Sequence, residues 1–380
     1  MKKLVILLML LPLLTFAGQR KKTTHQDPPK TPRNVIFVVG DGMGVAQVYS
    51  SIVSQGGDNS VFLRFPFTGF SRTYSNNKYT TDSGAGGSAL MTGHKVDNYH
   101  IAIGPDSTWY ASFLTMSKRI FGKAAGFVVT SSVLDATPAS TYAHVTERHM
   151  TDSVSMQMSQ CGFDVMIGGN KNPFLPENRK DGLAPLDTLK ARGYDMAYSP
   201  LDLMKIHSRK ICGLLSPNDP PTAPSRGRWL TMGALKAIET LNQADNGFVL
   251  MIEGSQIDWA GHNNDSAYLV AEMADFEDML TAVLDFAERD GNTLVVVTAD
   301  HETSGLSLLG GDIQQGVNRF TWATGNHSGV MVPVFAYGPG AINFTGIQQN
   351  TAFFEKIMTL LNGGQRFLGG LPFCEYPLGR

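Results

Sequence analysis

Short apolar runs of strand length recur along this chain, at 34–39, 124–129, 165–167, 247–252, 294–297 and 332–336. The first reads Asn-Val-Ile-Phe-Val-Val and stops at Gly40-Asp41-Gly42-Met43-Gly44. Runs without polar alternation suit strands buried on both faces, the condition of a parallel sheet. Between them lie amphipathic segments at 230–241 and 267–288, and a further helix is expected after Gly44. Strands alternating with helices predict an α/β fold: a single large domain with a mostly parallel central sheet and helices on both faces. At 380 residues the chain is long enough to bury such a core. Sheets of this kind bind their ligands beyond the C-terminal strand ends. The polar residues that close each run are therefore the first candidates for chemistry.

The N-terminus follows different rules. Lys2 and Lys3 precede an apolar stretch from Leu4 to Phe16, broken only by Pro12 and Thr15, and Thr15-Phe16-Ala17 offers a small-residue cleavage site. Residues 1–17 read as a secretory signal peptide. The stretch is short of the roughly 20 residues a membrane-spanning helix needs, so no stable membrane anchor is expected. Export makes the product periplasmic or extracellular. Residues 18–33 are polar and carry prolines, and are expected to be a disordered lead-in. The folded domain is expected over 34–380, with the Pro-, Lys- and Arg-richer stretch 170–228 as a surface excursion within it.

Lys and Arg total 31 against 33 Asp and Glu, so nothing in the charge supports a nucleic-acid partner. Cys161, Cys212 and Cys374 show no C-x-x-C spacing, which argues against a thiolate metal site. Export permits one disulfide, Cys161–Cys212, and three buried unpaired thiols are the alternative.

The strand ends are loaded with oxygen and nitrogen ligands. The 247–252 run ends in Glu253-Gly-Ser-Gln-Ile-Asp258-Trp-Ala-Gly-His262. Asp258 and His262 stand at i, i+4, one above the other on a helix. The 294–297 run closes on Asp300 and His301, and the first run on Asp41. His327 sits in a Gly-rich loop and completes a three-ligand set with Asp258 and His262, the number a catalytic zinc wants. Asp135-Ala-Thr137-Pro either caps a helix or binds a hard cation such as Mg2+. Arg148, thirteen residues beyond Asp135, is a surface charge or a bidentate phosphate clamp. Ser83 opens a small-residue helix start, as a cap or as a nucleophile beside free N–H groups.

Taken in order, the segments are Gly40-Asp41-Gly-Met-Gly, Thr81-Asp-Ser83, Asp135-Ala-Thr137-Pro, His144-Val-Thr-x-Arg148, Glu253 to His262, Thr298-Ala-Asp300-His301-Glu-Thr, and His327 before Tyr337-Gly-Pro. This series resembles the alkaline phosphatase family, from Asn34 to about Leu361. The resemblance implies an alkaline-phosphatase-like fold, two zinc ions and one magnesium. One zinc would be held by Asp258, His262 and His327, the other by Asp41, Asp300, His301 and the Ser83 oxygen. Asp41 would also reach the magnesium, completed by Thr137 and Glu253 with Asp135 beyond them. Arg148 would grip phosphate. The implied activity is hydrolysis of phosphate monoesters to alcohol and inorganic phosphate through a phosphoserine, with broad specificity and a homodimer open. A phosphodiesterase, sulfatase or metal-dependent phosphomutase of the same fold, and a non-catalytic metal- or phosphate-binding surface protein, are the competing readings. Retention of Ser83, Thr137, Glu253 and Arg148 together favours the monoesterase.

Some positions depart from common family patterns. Trp259 stands where many relatives carry Lys or His, and an indole cannot act as a cation, so weaker phosphate inhibition is expected. Gly84, Gly86 and Gly87 stand where relatives often use Ala, which predicts a looser nucleophile segment. Only 25 residues separate His301 from His327, which predicts a compact version of the fold.

Overall fold

The computed structural model describes residues 31–367. The stretch expected to be a signal peptide, most of the expected lead-in and Cys374 lie outside the described residues. In chain order the strands begin with β1 (Asn34–Gly40), β2 (Phe67–Arg72), β3 (Ala124–Ser132), β4 (Val165–Gly169), β5 (Asp195–Ala197), β6 (Ile211–Leu214) and β7 (Phe248–Gly254). They continue with β8 (Thr293–Thr298), β9 (Glu302–Thr303), β10 (Ser307–Asp312), β11 (Val317–Thr321), β12 (His327–Ser328), β13 (Val332–Tyr337) and β14 (Gly346–Gln349). Ten of them form one sheet in the order β14-β2-β13-β8-β1-β7-β3-β4-β6-β5.

The pairings are parallel except at β13, which runs antiparallel to both β8 and β2. The fold is the expected α/β domain with a mostly parallel sheet. The buried strands alternate between two cores. Val35, Phe37 and Val39 of β1 face the helices Ser83–Thr92, Phe113–Phe121, Thr151–Gln160 and Ala352–Leu361. Ile36 and Val38 face Val45–Ser54, Trp229–Leu241 and Ser266–Asp290. Continuous apolar runs in β1, β7 and β8 follow from this covering of both faces.

The stretch 170–228 is more than the surface excursion expected of it. It supplies β5 and β6, which extend the sheet beyond β4, and Ile211 and Cys212 are buried there. Strands of three and four residues are too short to show a period, so composition alone points to a surface excursion. The Cys161–Cys212 pairing is not formed: both thiols are free, and Cys161 donates to Met166 Sδ at 3.6 Å. Burial pushes the Cys161 thiol up to about 12, so it is protonated and unreactive at neutral pH.

The direction of β13 places a site residue. Phe335 pairs with Val297 and Tyr337 with Val295, so the start of β13 lies at the C-terminal edge of β8. His327, which precedes β13, is thereby delivered to the rim where Asp41, Glu253 and Asp300 emerge. Between His301 and His327 the chain makes only the exposed β10–β11 hairpin and the short β9–β12 pairing.

Candidate metal centre

Asp41 follows β1, Glu253 ends β7 and Asp300 follows β8, so adjacent parallel strands bring three carboxylates to one rim. All three are buried, as are Asp258 and His301. Asp258 and His262 lie on the helix Gln256–His262, which starts just past β7. His262 Nε2 is 3.4 Å from Asp258 Oδ2, and His327 Nε2 is 3.5 Å from Asp258 Oδ1. His262 Nε2 and His327 Nε2 are 3.1 Å apart. Two groups of ligand atoms converge closely enough to share a cation: Asp258 with His262 and His327, and Asp41 with Asp258 and His301.

The imidazoles are oriented by their other nitrogens. His262 Nδ1 is 2.7 Å from the Gly325 carbonyl and His327 Nδ1 is 2.8 Å from that of Thr81. A carbonyl at Nδ1 requires the proton there and leaves Nε2 as the ligand atom. His301 Nδ1 is 3.3 Å from Thr303 Oγ1, and that hydroxyl also donates to Asp258 Oδ1. Burial and the neighbouring His327 lower the His301 pKa well below its ordinary value, so the ring is neutral and ready to ligate.

The donor set fits divalent cations. Asp41 Oδ1, Asp300 Oδ2, Glu253 Oε2 and Thr137 Oγ1 are buried and have no hydrogen-bond partner. Such atoms are costly to bury unless something satisfies them. Burial, then the charges of Asp300, Asp258 and Glu253, raise the Asp41 pKa well above the carboxylate range. Burial, then Asp135 and Asp300, do the same for Glu253, and burial raises Asp300. A metal would hold these groups ionised and relieve their repulsion.

The sign of the linkage is testable. Without metal, carboxyls with raised pKa values hold protons above the ordinary range, while His301 is already neutral. Metal loading therefore releases protons, and metal affinity rises with pH across the range in which those carboxyls titrate. Loading of chelated protein with Zn2+ and Mg2+ in a weakly buffered dye solution, at a pH just above the ordinary carboxylate range, should acidify it. Metal uptake with no proton release would contradict the raised values.

The serine helix settles an ambiguity. The cap of Ser83–Thr92 is Asp82, whose side chain accepts from Ala85 N at 3.0 Å. Ser83 is the first helical residue and is relieved of capping, with its Oγ 3.2 Å from His301 Nε2. Asp82 was not singled out from sequence, although an Asp one residue before a small-residue helix is itself a cap signal. It also holds Arg148: Arg148 NH1 is 3.1 Å from Asp82 Oδ2, and NH2 is 2.9 Å from Asp135 Oδ1. Burial works against the Arg148 charge, but Asp135 and Asp82 more than offset it, and the guanidinium stays protonated. Asp135 also caps the turn Ala136–Ala139, accepting from Ala136 N at 2.8 Å, while Thr137 Oγ1 remains free to ligate. Trp259 is half-buried between Asp258 and Ala260. His144, by contrast, is structural, with Nε2 3.1 Å from the Tyr110 carbonyl and its ring stacked on Trp109.

The glycines of this helix are close-approach residues rather than sites of looseness. A Cβ on Gly86 would lie 3.1 Å from Asp300 Cβ and from the Asp300 carbonyl oxygen. Those on Gly84 and Gly87 would lie 3.0 Å from Asp82 Oδ2 and 3.1 Å from Ser140 Oγ. Backbone contact here seats Ser83 against the strand ends. Gly86→Ala should therefore cost about 1–3 kcal/mol by overpacking, outweighing its gain in helix propensity. Thermal melting and turnover should both fall; a stabilised, fully active variant would show that the helix has room.

A mostly parallel α/β sheet whose rim gathers carboxylates and imidazoles beside a serine freed from capping defines a metal-dependent hydrolase. The alkaline phosphatase family profile matches residues 32–321. Alkaline phosphatase 3 of Bacillus subtilis is 30% identical over an alignment that spans 91% of this chain and 92% of the relative. Streptomycin-6-phosphate phosphatase of Streptomyces griseus is 28% identical, spanning 92% of this chain and 95% of its own. The alkaline phosphatase of the Antarctic bacterium TAB5 superposes with a TM-score of 0.82 at 37% identity, over 88% of this chain and 99% of that one. A histidine-to-aspartate variant of the TAB5 enzyme carries magnesium in its M3 site. The chain belongs to the alkaline phosphatase family. It is a phosphomonoesterase whose described residues include candidate ligands for the metals such enzymes depend on.

Proposed function

We propose that this protein is an exported alkaline phosphatase that cleaves phosphate monoesters, with broad specificity, through a phosphoserine at Ser83. The observation that carries the reading is the freed Ser83 hydroxyl, 3.2 Å from His301 Nε2 and one residue from the Asp82 that grips Arg148. The seat of Asp258, His262 and His327 suits zinc, and that of Asp41, Asp300 and His301 suits a second zinc beside Ser83. The all-oxygen set of Asp41, Thr137 and Glu253, with Asp135 nearby, suits magnesium. When bound, the metals supply Lewis-acid stabilisation of charge on the attacking and leaving oxygens.

The chain's own residues do the rest. Ser83 Oγ bonds to phosphorus as the ester oxygen departs, which releases the alcohol. Water then breaks the Ser83–phosphorus bond, restoring the hydroxyl and releasing inorganic phosphate. Arg148, pre-oriented by Asp82 and Asp135, presents N–H groups to the non-reacting phosphoryl oxygens. Nothing in this scheme grips the alcohol, which is why broad tolerance is expected. Hydrolysis of a chromogenic phosphomonoester tests it, with loss of activity on chelation and on Ser83→Ala. Full metal loading without turnover would favour the binding-protein alternative.

Trp259 bears on product release, because an indole gives phosphate no cationic partner. Trp259→Lys should lower the phosphate inhibition constant by roughly 10-fold, the worth of one charge-assisted contact. An unchanged constant would remove Trp259 from the account of specificity. Export is proposed from residues 1–17, and N-terminal sequencing of secreted protein checks cleavage after Ala17. Among the described residues, no helix is long and apolar enough to cross a membrane. A homodimer is supported by exposed apolar side chains at Val45, Tyr49, Leu309, Ile313, Val330 and Met331, and light scattering decides it.

A further inference from the structure

Glu302 is a buried carboxylate that belongs to neither candidate cation group and has no part in the reaction above. It accepts from donors on several segments at once. Oε1 accepts from Gln47 Nε2 at 2.9 Å and from Leu306 N at 3.1 Å. Oε2 accepts from Gly305 N at 3.0 Å and from the Ser328 hydroxyl. Gln47 Nε2 also donates to the Thr303 carbonyl at 2.9 Å. All of these donors are neutral.

The segments joined in this way carry metal ligands. Glu302 follows His301 in the chain, Ser328 follows His327, and Gln47 lies on the helix Val45–Ser54 that begins just past Asp41. The β-bridge between β9 and β12 pairs Thr303 with His327 and Glu302 with Ser328, but each strand has only two residues. A pairing that short is too weak to fix its own register. The His301 and His327 rings stack with centroids 3.5 Å apart, so a slip of either strand would misplace both Nε2 atoms. The backbone also makes way for the carboxylate, since a Cβ on Gly44 would lie 2.4 Å from Glu302 Cγ.

We infer that Glu302 is a positioning residue that locks the His301 and His327 strands to each other and to the Asp41 side of the centre. Retention of the cation held by Asp258, His262 and His327 depends on it. This rests on the proposed use of those three residues as a metal seat. Partners that orient metal ligands are typically worth about 10–100-fold in metal affinity.

The test uses the full-length metal-loaded protein, with cobalt(II) as a spectroscopic probe and release to a chelator as the rate. Glu302→Gln should release metal about 10–100-fold faster and shift the visible cobalt bands. Ser328→Ala, which removes one donor and leaves the carboxylate, should move both readouts in the same direction by less. Should Glu302→Gln fail to fold, Ser328→Ala carries the test alone. His327→Ala serves as the reference. If it leaves cobalt spectrum and metal content unaltered, the reading of the seat falls, and this inference with it. If His327→Ala changes both while the Glu302 and Ser328 variants match the parent, the positioning role alone is overturned. A lowered melting temperature with parental spectrum and release rate would likewise overturn it, leaving Glu302 a purely structural residue.

Discussion

Replacing Ser83 with alanine should lower kcat by about a thousandfold or more while metal content and melting temperature stay close to those of the parent. The separation of these effects follows from the helix start. Asp82, not Ser83, accepts the free N–H of the first turn, so removing the hydroxyl leaves no orphaned backbone donor. The hydroxyl lies 3.2 Å from His301 Nε2, a nitrogen that a bound cation would claim in any case. Arg148 keeps both of its carboxylate partners, so phosphate should still bind. The variant would therefore be a competent binder with no nucleophile, and phosphate should no longer be trapped covalently on the chain. Turnover near the parental level would mean that water attacks the ester directly, and the phosphoserine scheme would fail.

Much of this arrangement is legible in the sequence. The cores of β1, β3, β7 and β8 are apolar runs because helices cover both sheet faces, and those of β1, β7 and β8 are closely followed by candidate ligands. The candidate ligands Asp258 and His262 stand at helical spacing on a helix that the structure shows. Other features leave little trace. An apolar run carries no direction, so nothing in residues 332–336 shows that β13 runs antiparallel and swings His327 to the rim. The strand β2 shows an edge-like alternation of exposure, and β5 and β6 are too short for a period. Asp82, Glu302 and Thr303 act by holding other site residues, and their hydrogen bonds to Arg148, Ser328 and Asp258 join segments distant in the chain. The glycines at the serine helix read as flexibility from composition, yet the structure gives them contact with Asp300 and Ser140. In each case the missing information is a tertiary neighbour.

Asp258→Asn should disable the enzyme by another route, emptying the metal centre while sparing the nucleophile. Asp258 is common to both candidate ligand groups, with Oδ2 3.4 Å from His262 Nε2 and Oδ1 3.5 Å from His327 Nε2. Asparagine keeps the shape and an oxygen to accept from Thr303, so the change is chiefly the loss of one negative charge. Metal affinity should fall by more than the roughly 10–100-fold that loss of an orienting partner costs. His262→Ala removes a more exposed ligand that belongs to one group alone, so excess zinc should restore it more readily. The metal-free state supplies an internal control. Asp258 is among the charges that raise the Asp41 pKa, so neutralising it relieves repulsion in the absence of metal. The chelated variant should then melt no lower than the chelated parent, while added metal, whose stabilisation follows its affinity, raises its melting temperature far less. Equal metal-induced gains in variant and parent would show that Asp258 is not a ligand, and its seat with His262 and His327 would have to be redrawn.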